Sequence, residues 1–308
     1  MSAAAAERAA FLEARRAGIG GSDMAAILGL DPWKQAIDVF YDKRPDLAEE
    51  HGYQPREDAE DEDLGPRFWG SILEDPIAEG YAKRTGRKVQ RSNVQHALEQ
   101  APYMLANIDR RVVGEKRGVE IKNVSLRMSH LWGPDGTDEV ASYYLPQVCH
   151  YMLVLDMPVW DVAALIGGSE LRIYTVERDP EMDQILLNAG AEFWSRVEAG
   201  TPPPVDPEHK RAAEVLRRVY PGTNGETVAL GDDAQRWAEV MWDAQAQAKQ
   251  YQAVVDGARA HLQAMAGAAS VATLPGGGGF VRKVVKRKGY EVEPSEYVDF
   301  RFNKKAGE

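Results

Sequence analysis

The sequence predicts an α/β fold: a central mixed sheet flanked by helices, then a C-terminal extension of one long helix and a short β-hairpin. Two observations carry that expectation. Apolar residues recur at helical spacing through 68–86 and 181–200, and between those segments the period switches to two through 89–124 and 159–178. Further on, the pattern becomes a heptad seam held through four repeats, the signature of a long helix.

Taken in order, Ser2 to Arg16 has helical composition, and "GIGGSD" (Gly18–Asp23) is a glycine turn. A helix with Met24, Ile27 and Leu28 follows and ends near Gly29. Asp46 to Asp63 is strongly acidic, with nine Asp and Glu among 18 residues, and reads as a solvated loop. In "FWGSILEDPIAEGYAKRTG", Trp69, Ile72, Leu73, Ile77 and Tyr81 lie on one helical face, and Gly86 is the stop. Strand signals then run to Val113, broken at Pro102, and resume in "RGVEIKNVS", so Tyr103 to Val124 is predicted as a hairpin turning between Gly114 and Gly118.

"LPQVCHYMLVLDM" is predicted as a helix, "VWDVAALIGGSELRIYTVER" as two strands around Gly167 and Gly168, and "EMDQILLNAGAEFWSRVEAG" as a helix with a glycine stop. "TPPPVDP" (Thr201–Pro207) holds three successive prolines and is predicted as a linker between a domain of residues 1–200 and an extension of residues 208–308. In that extension Trp237, Met241, Ala244, Ala248, Tyr251, Val255, Ala258, Leu262 and Met265 alternate steps of four and three, an a/d seam. "LPGGGG" ends it, and "FVRKVVKRK" and "EYVDFRF" are predicted as closing strands.

The bulk properties exclude several classes. At 308 residues, with 44% hydrophobic and 28% charged residues, the chain has the composition of an ordinary globular protein with a sizeable core. No apolar run reaches membrane-spanning length, and the start lacks a secretory apolar region. The single cysteine, Cys149, excludes a disulfide framework and all-cysteine zinc or iron–sulfur sites, so a cytoplasmic setting is expected. A net charge of −11 argues against indiscriminate nucleic-acid binding, but Val281–Lys288 is locally basic.

The chemistry concentrates on the predicted hairpin. Asp109 sits late on its first strand, with Glu120 and Lys122 on one face of the second. Val119, Ile121 and Val124 are expected to point elsewhere. Two carboxylates on adjacent strands form a hard oxygen site suited to magnesium, and a neighbouring lysine can position water and stabilise charge on a phosphate. Glu-x-Lys alone is commonplace and is usually a solvated face with a weak ion pair. Glu74, on the helix before the hairpin, adds a third carboxylate. Gln147 and Tyr151, four residues apart on a helix, share a face; Cys149 and His150 between them read as packing residues. The "GIGGSD" turn suggests a phosphate cradle, yet no lysine follows as in a Walker loop and the glycine spacing misses the dinucleotide fingerprint. Ser22 or Asp23 also suits a helix cap.

In order and spacing, Glu74, Asp109, Glu120-Ile121-Lys122 and Gln147-x-x-x-Tyr151 resemble the PD-(D/E)XK nuclease core. The glutamine–tyrosine pair is similar to the branch holding the RecB nuclease domain and bacteriophage lambda exonuclease. "GIGGSD" followed by "ILGLDPWK" resembles the YqaJ-type viral recombinases within it. The resemblance covers about Glu13 to Arg178. Ile108 stands where the superfamily carries its proline, a position at which this branch varies. The acidic run and everything beyond Thr201 lie outside the pattern.

The resemblance implies a restriction-endonuclease-like core and magnesium-dependent hydrolysis of DNA, with manganese as a possible substitute. The reaction would run 5′-to-3′ from duplex ends. Asp109, Glu120, the Ile121 carbonyl and Glu74 would bind metal, Lys122 would orient or deprotonate the attacking water, and Gln147 and Tyr151 would hold the scissile region. Ser22 matches a serine that binds the DNA 5′ phosphate, with Arg15 the better-spaced partner and Arg16 the alternative. Relatives form closed rings and work beside a single-strand annealing protein. The expected partners are therefore double-stranded DNA ends, an annealing protein and further copies of the chain, in the cytoplasm of a bacterial host and without a membrane. A noncatalytic DNA-end-binding protein and a structure-specific endonuclease on the same fold are the alternatives. The heptad helix would serve self-association, partner docking or packing within the chain. The basic strand would contact DNA or guard a sheet edge.

Overall fold

The computed structural model describes residues 13–55 and 65–286. The expected strand "EYVDFRF", most of the N-terminal helix and residues 56–63 of the acidic run lie outside the described residues. In chain order the elements are β1 (Ile19–Gly20), α1 (Gly21–Ile27), α2 (Ala36–Lys43), α3 (Pro45–Glu50), α4 (Pro66–Thr85), β2 (Val89–Arg91), β3 (His96–Leu98), β4 (Ala101–Ala106), β5 (Arg110–Val112) and β6 (Arg117–Val124). A 3-10 turn at Leu126–Leu131 leads to α5 (Leu145–Leu155), β7 (Val159–Ile166), β8 (Glu170–Glu177), α6 (Pro180–Ala199), α7 (Ala212–Val219), α8 (Asp233–Ala266), β9 (Val271–Thr273) and β10 (Gly279–Val281).

The site rests on a five-stranded sheet of order β2-β5-β6-β7-β8. β6 and β7 pair in parallel, with Glu120 opposite Val162 and Lys122 opposite Ala164, while the other neighbours are antiparallel. A parallel pair needs a crossover, and residues 125–158 with α5 supply it. The architecture is thus the predicted mixed sheet flanked by helices. On one face Ile77, Ala78 and Tyr81 of α4 pack on Val119, Ile121 and Ala163. On the other, Val148, Tyr151 and Met152 of α5 share the main core with Val124, Val162 and Ala164. Strand alternation puts Glu120 and Lys122 on that second face. Val124 lies on it too, by the same parity, and does not turn away as expected.

Buried Asp161 of β7 ties α4 to the sheet. Its carboxylate accepts from the Tyr81 hydroxyl at 2.5 Å, from Thr175 Oγ1 at 2.8 Å and from the Arg117 guanidinium. Gly118 leaves room for the Trp160 ring, because a Cβ there would lie 2.2 Å from it.

The predicted hairpin is shorter than expected. β4 joins a separate sheet of order β1-β4-β3, and the chain breaks from strand geometry at 107–109, so the hairpin is β5–β6. Asp109 therefore sits in the bend before β5 and not late on a long strand. Pro102 does not interrupt β4; it lies beside the register shift at Ala97/Leu98, where a missing N–H is tolerated. The acidic run begins as a helix, since Pro45 occupies the first position of α3. On the predicted face of α4, Ile77 and Tyr81 are buried while Trp69 and Ile72 are exposed.

The 201–207 segment was expected as a linker, yet it packs against the rest of the α/β unit. The Asp206 backbone exchanges hydrogen bonds with the Gln35 side chain, and Val215 of α7 is fully buried. Arg218 pairs with buried Asp38 at 2.7 Å. The chain divides into two compact units between Gly222 and Thr223 instead. Prolines set an extended path but do not decide whether it is covered. In the second unit, α8 is one continuous helix of 34 residues with none buried. Among the described residues of the segment expected as a basic strand, Phe280 and Val281 are strand, paired with β9, and Arg282–Lys286 is not.

Candidate active site

β6 presents Glu120 and Lys122 toward α5, where Gln147 and Tyr151 face them one turn apart. The four side chains close into one hydrogen-bonded network. Glu120 Oε1 accepts from Lys122 Nζ at 2.6 Å and from Gln147 Nε2 at 2.8 Å. Lys122 Nζ also donates to Gln147 Oε1 at 3.1 Å, and Gln147 Nε2 lies 2.9 Å from the Tyr151 hydroxyl. Asp109 closes in from the bend, its Oδ2 accepting the Ile121 N–H at 2.9 Å. The Lys122 ammonium sits 4.5 Å from the centre of the Tyr144 ring.

The electrostatics are those of a concentrated negative site. Burial first, then the Glu120 charge, push the Asp109 carboxyl up to about 7. Glu120 Oε2 is buried and has no hydrogen-bond partner. Burial pulls the Lys122 ammonium down, but Glu120, Tyr144 and Asp109 more than offset it, so the lysine stays charged. Tyr151 is held well above its ordinary value by burial and by Glu120, so it remains a phenol. An orphaned carboxylate oxygen beside a second carboxyl that resists ionisation suits a divalent cation, which would stabilise both charges.

Asp109 makes the site pH-dependent. Its native value of about 7 exceeds the ordinary 3.8, so the folded protein holds a proton that the unfolded chain releases in that window. In chelator-containing buffer, thermal stability should therefore fall as pH rises from about 4 through about 7. Asp109→Asn should flatten that decline by comparison, and parallel melting curves of the two proteins would contradict it.

Glu74 approaches from α4, and its charge reaches Asp109. Its carboxylate does not join the pair, however; it is held by the Arg110 guanidinium and by Arg91 Nη2 at 3.3 Å. Among the described residues, no three His, Cys, Asp or Glu side chains stand together as a ready-made metal cage. Arg110 also donates to its neighbour's carbonyl, Asp109 O, at 2.7 Å, so it links Glu74 to the bend. The sequence reading missed Arg110, although its place beside Asp109 was a usable signal.

The glycine turn abuts this network. A Cβ on Gly21 would lie 2.6 Å from the Tyr151 ring and 3.1 Å from the Gln147 carbonyl. Ser22 is exposed, and its hydroxyl accepts Arg15 Nη2 at 2.9 Å, whereas Arg16 pairs with Glu13 at 3.5 Å. Of the two arginines, the structure brings Arg15 to Ser22. Asp23 takes the capping role, accepting the Gly20 N–H at 3.0 Å. Buried Lys43 bonds Asp23 Oδ2 at 2.7 Å and the Arg15 carbonyl at 3.0 Å, so it locks the turn. Nothing in the sequence pattern pointed to Lys43, because α2 itself was not predicted. His150 and Cys149 are packing residues: burial holds the imidazole down at about 4, with Nε2 2.9 Å from Leu105 O, and pushes the thiol up to about 12.

Fold and site together define an α/β protein that gathers two acids, a charged lysine, a glutamine and a phenol at one strand edge. Residues 10–158 match the YqaJ-like viral recombinase domain, the family that the ordered residues resemble. The uncharacterized protein YqaJ of Bacillus subtilis is 34% identical over 216 residues, which cover 69% of this chain and 63% of that protein. Among solved structures, an alkaline exonuclease from Laribacter hongkongensis is 15% identical with a TM-score of 0.45, covering 61% of this chain and 92% of that one. A phage-related exonuclease from Haemophilus somnus is 16% identical with a TM-score of 0.40, covering 59% and 96%. No helix among the described residues is long and apolar enough to cross a membrane.

Proposed function

We propose that the chain is a metal-dependent deoxyribonuclease that degrades linear duplex DNA from 5′-phosphorylated ends, 5′-to-3′, in phage-type recombination by single-strand annealing. The observation that carries this reading is the closed network of Glu120, Lys122, Gln147 and Tyr151 with Asp109 beside it and one Glu120 oxygen unpartnered. Asp109, Glu120 and the Ile121 carbonyl would hold magnesium, or manganese in its place, with Glu74 contributing through water. Bound there, the ion supplies Lewis-acid polarisation of the phosphate and a more acidic water.

The chain's own residues do the rest. Lys122 would orient or deprotonate the attacking water and stabilise charge growing on the phosphate. Gln147 fixes both Lys122 and Glu120, and Tyr151 fixes Gln147. Ser22 and Arg15 offer a hydroxyl and a guanidinium to a terminal phosphate, beside the α1 backbone.

A noncatalytic end-binding protein has no use for a buried charged lysine wired to a buried carboxylate, and the Ser22–Arg15 pair beside Tyr151 favours ends over an internal structure. The proposed setting is the cytoplasm of a bacterial host, with an annealing protein and ring-forming copies of the chain as partners. The test is linear duplex DNA carrying either 5′-phosphate or 5′-hydroxyl ends, with magnesium or with chelator. Magnesium-dependent loss of the phosphorylated 5′ strand, at least tenfold slower for Ser22→Ala, supports the proposal. Equal cutting of closed circles would overturn it, and DNA retained without hydrolysis would favour the end-binding reading.

A further inference from the structure

We propose that α8 pairs with α8 of a second copy of this chain as an antiparallel two-helix coiled coil. The helix runs unbroken over 34 residues, none of them buried, and Trp237, Tyr251 and Val255 of its seam are 55%, 71% and 48% exposed. Helices in proteins draw most of their stability from packing an apolar face. This one also carries Gly257 in its interior, which lowers its intrinsic stability. A strict 3.5-residue repeat is what a supercoiled partner helix requires, and a surface helix does not need it.

The occupant follows from the order of large and small seam residues. Laid antiparallel on a copy of itself, the seam sets Met241 against Ala258, Ala244 against Val255, and Ala248 against Tyr251, and each pairing occurs twice by symmetry. The ends close with Trp237 against Leu262. Every central layer then joins one bulky and one small side chain, the condition for even packing. A parallel pair in register would stack Trp237 on Trp237 and Tyr251 on Tyr251, with all-alanine layers at 244 and 248 between them. Such layers would leave gaps between the bulky ones.

The flanks agree. In the antiparallel register Gln245 meets Gln252, and Gln247 meets Val254, so no like charges oppose each other. Glu239, Asp243, Lys249 and Asp256 fall on the outer face. The seam is roughly 42 Å long, and its two aromatic residues alone offer roughly 150–250 Å² each. A stable interface needs about 800 Å² per partner, within reach of such a seam. The contact is isologous and uses none of the residues assigned to DNA cleavage.

The test uses the full chain. Residues 244 and 255 lie too far apart on one helix to bridge, at roughly 16 Å of rise, and native Cys149 is buried. Ala244→Cys/Val255→Cys, treated with copper phenanthroline, should give a covalent dimer on a non-reducing gel, while Ala244→Cys alone should not. Val255→Asp should lower the mass read by light scattering about twofold, and Ala253→Asp, on the outer face, should leave it unchanged. Cross-linking of Ala244→Cys as efficient as that of the double variant would overturn the antiparallel register. No cross-link, together with a mass untouched by Val255→Asp, would overturn pairing and leave the seam to another segment or another protein.

Discussion

Lys122→Ala should lower single-turnover hydrolysis of linear duplex DNA by roughly a thousandfold, the usual effect of removing one preorganised charge stabiliser. The loss has two sources. On the proposed reading an ammonium that stabilises charge on the phosphate disappears, and Glu120 loses its 2.6 Å partner, leaving both oxygens short of positive charge. Lys122 also lowers Asp109, so its removal pushes that carboxyl further from ionisation and weakens it as a metal ligand. Glu120 keeps its Gln147 hydrogen bond at 2.8 Å but loses its charge partner, so the variant should also be less stable. Circular dichroism and end-binding checked alongside would separate lost chemistry from lost structure. A rate within tenfold of the parent would sink the role assigned to Lys122.

Asp161→Ala should be the most destabilising single change outside the site, at about 3–5 kcal/mol, the penalty for breaking a buried ion pair by removing one partner. Three donors would lose their acceptor together: Tyr81, Arg117 and Thr175. Arg117 and Tyr81 come from different elements, so the change frees α4 from the sheet as well as leaving charge unpaired. For a unit of this size the melting temperature should drop by roughly 10 °C. Asp161→Asn keeps an acceptor while losing the charge, and should fall between the two. Because Asp161 faces α4 and Glu120 faces α5, the folded fraction of the alanine variant should retain activity per molecule. A drop under 2 °C would show that the network is not what fastens α4.

The site was more legible in the sequence than the fold around it, and the reason lies in periodicity. Strand alternation needs no tertiary knowledge, so Glu120 and Lys122 could be put on one face from spacing alone, and helical spacing did the same for Gln147 and Tyr151. Partners fixed by long-range packing left no such trace. The Glu74 carboxylate fits a third ligand by position, yet Arg110 of β5 and Arg91 of β2 claim it, and sequence distance hides that meeting. The break before Asp109 was equally hidden, because the alternating pattern continues through it while the chain changes sheets. Pro203 and its neighbours marked an extended path, but only the Gln35–Asp206 exchange reveals that the path is covered.

On the proposed reading, the packing of Gly21 against Tyr151 decides what is released from a strand end. No side chain fits between the turn and the phenol, and Lys43 braces the turn from behind. On the proposed reading, the grip on a strand end and the blade that cuts it are one rigid piece. Their separation acts as a ruler: the length of each fragment is dictated by backbone geometry, whatever bases the strand carries.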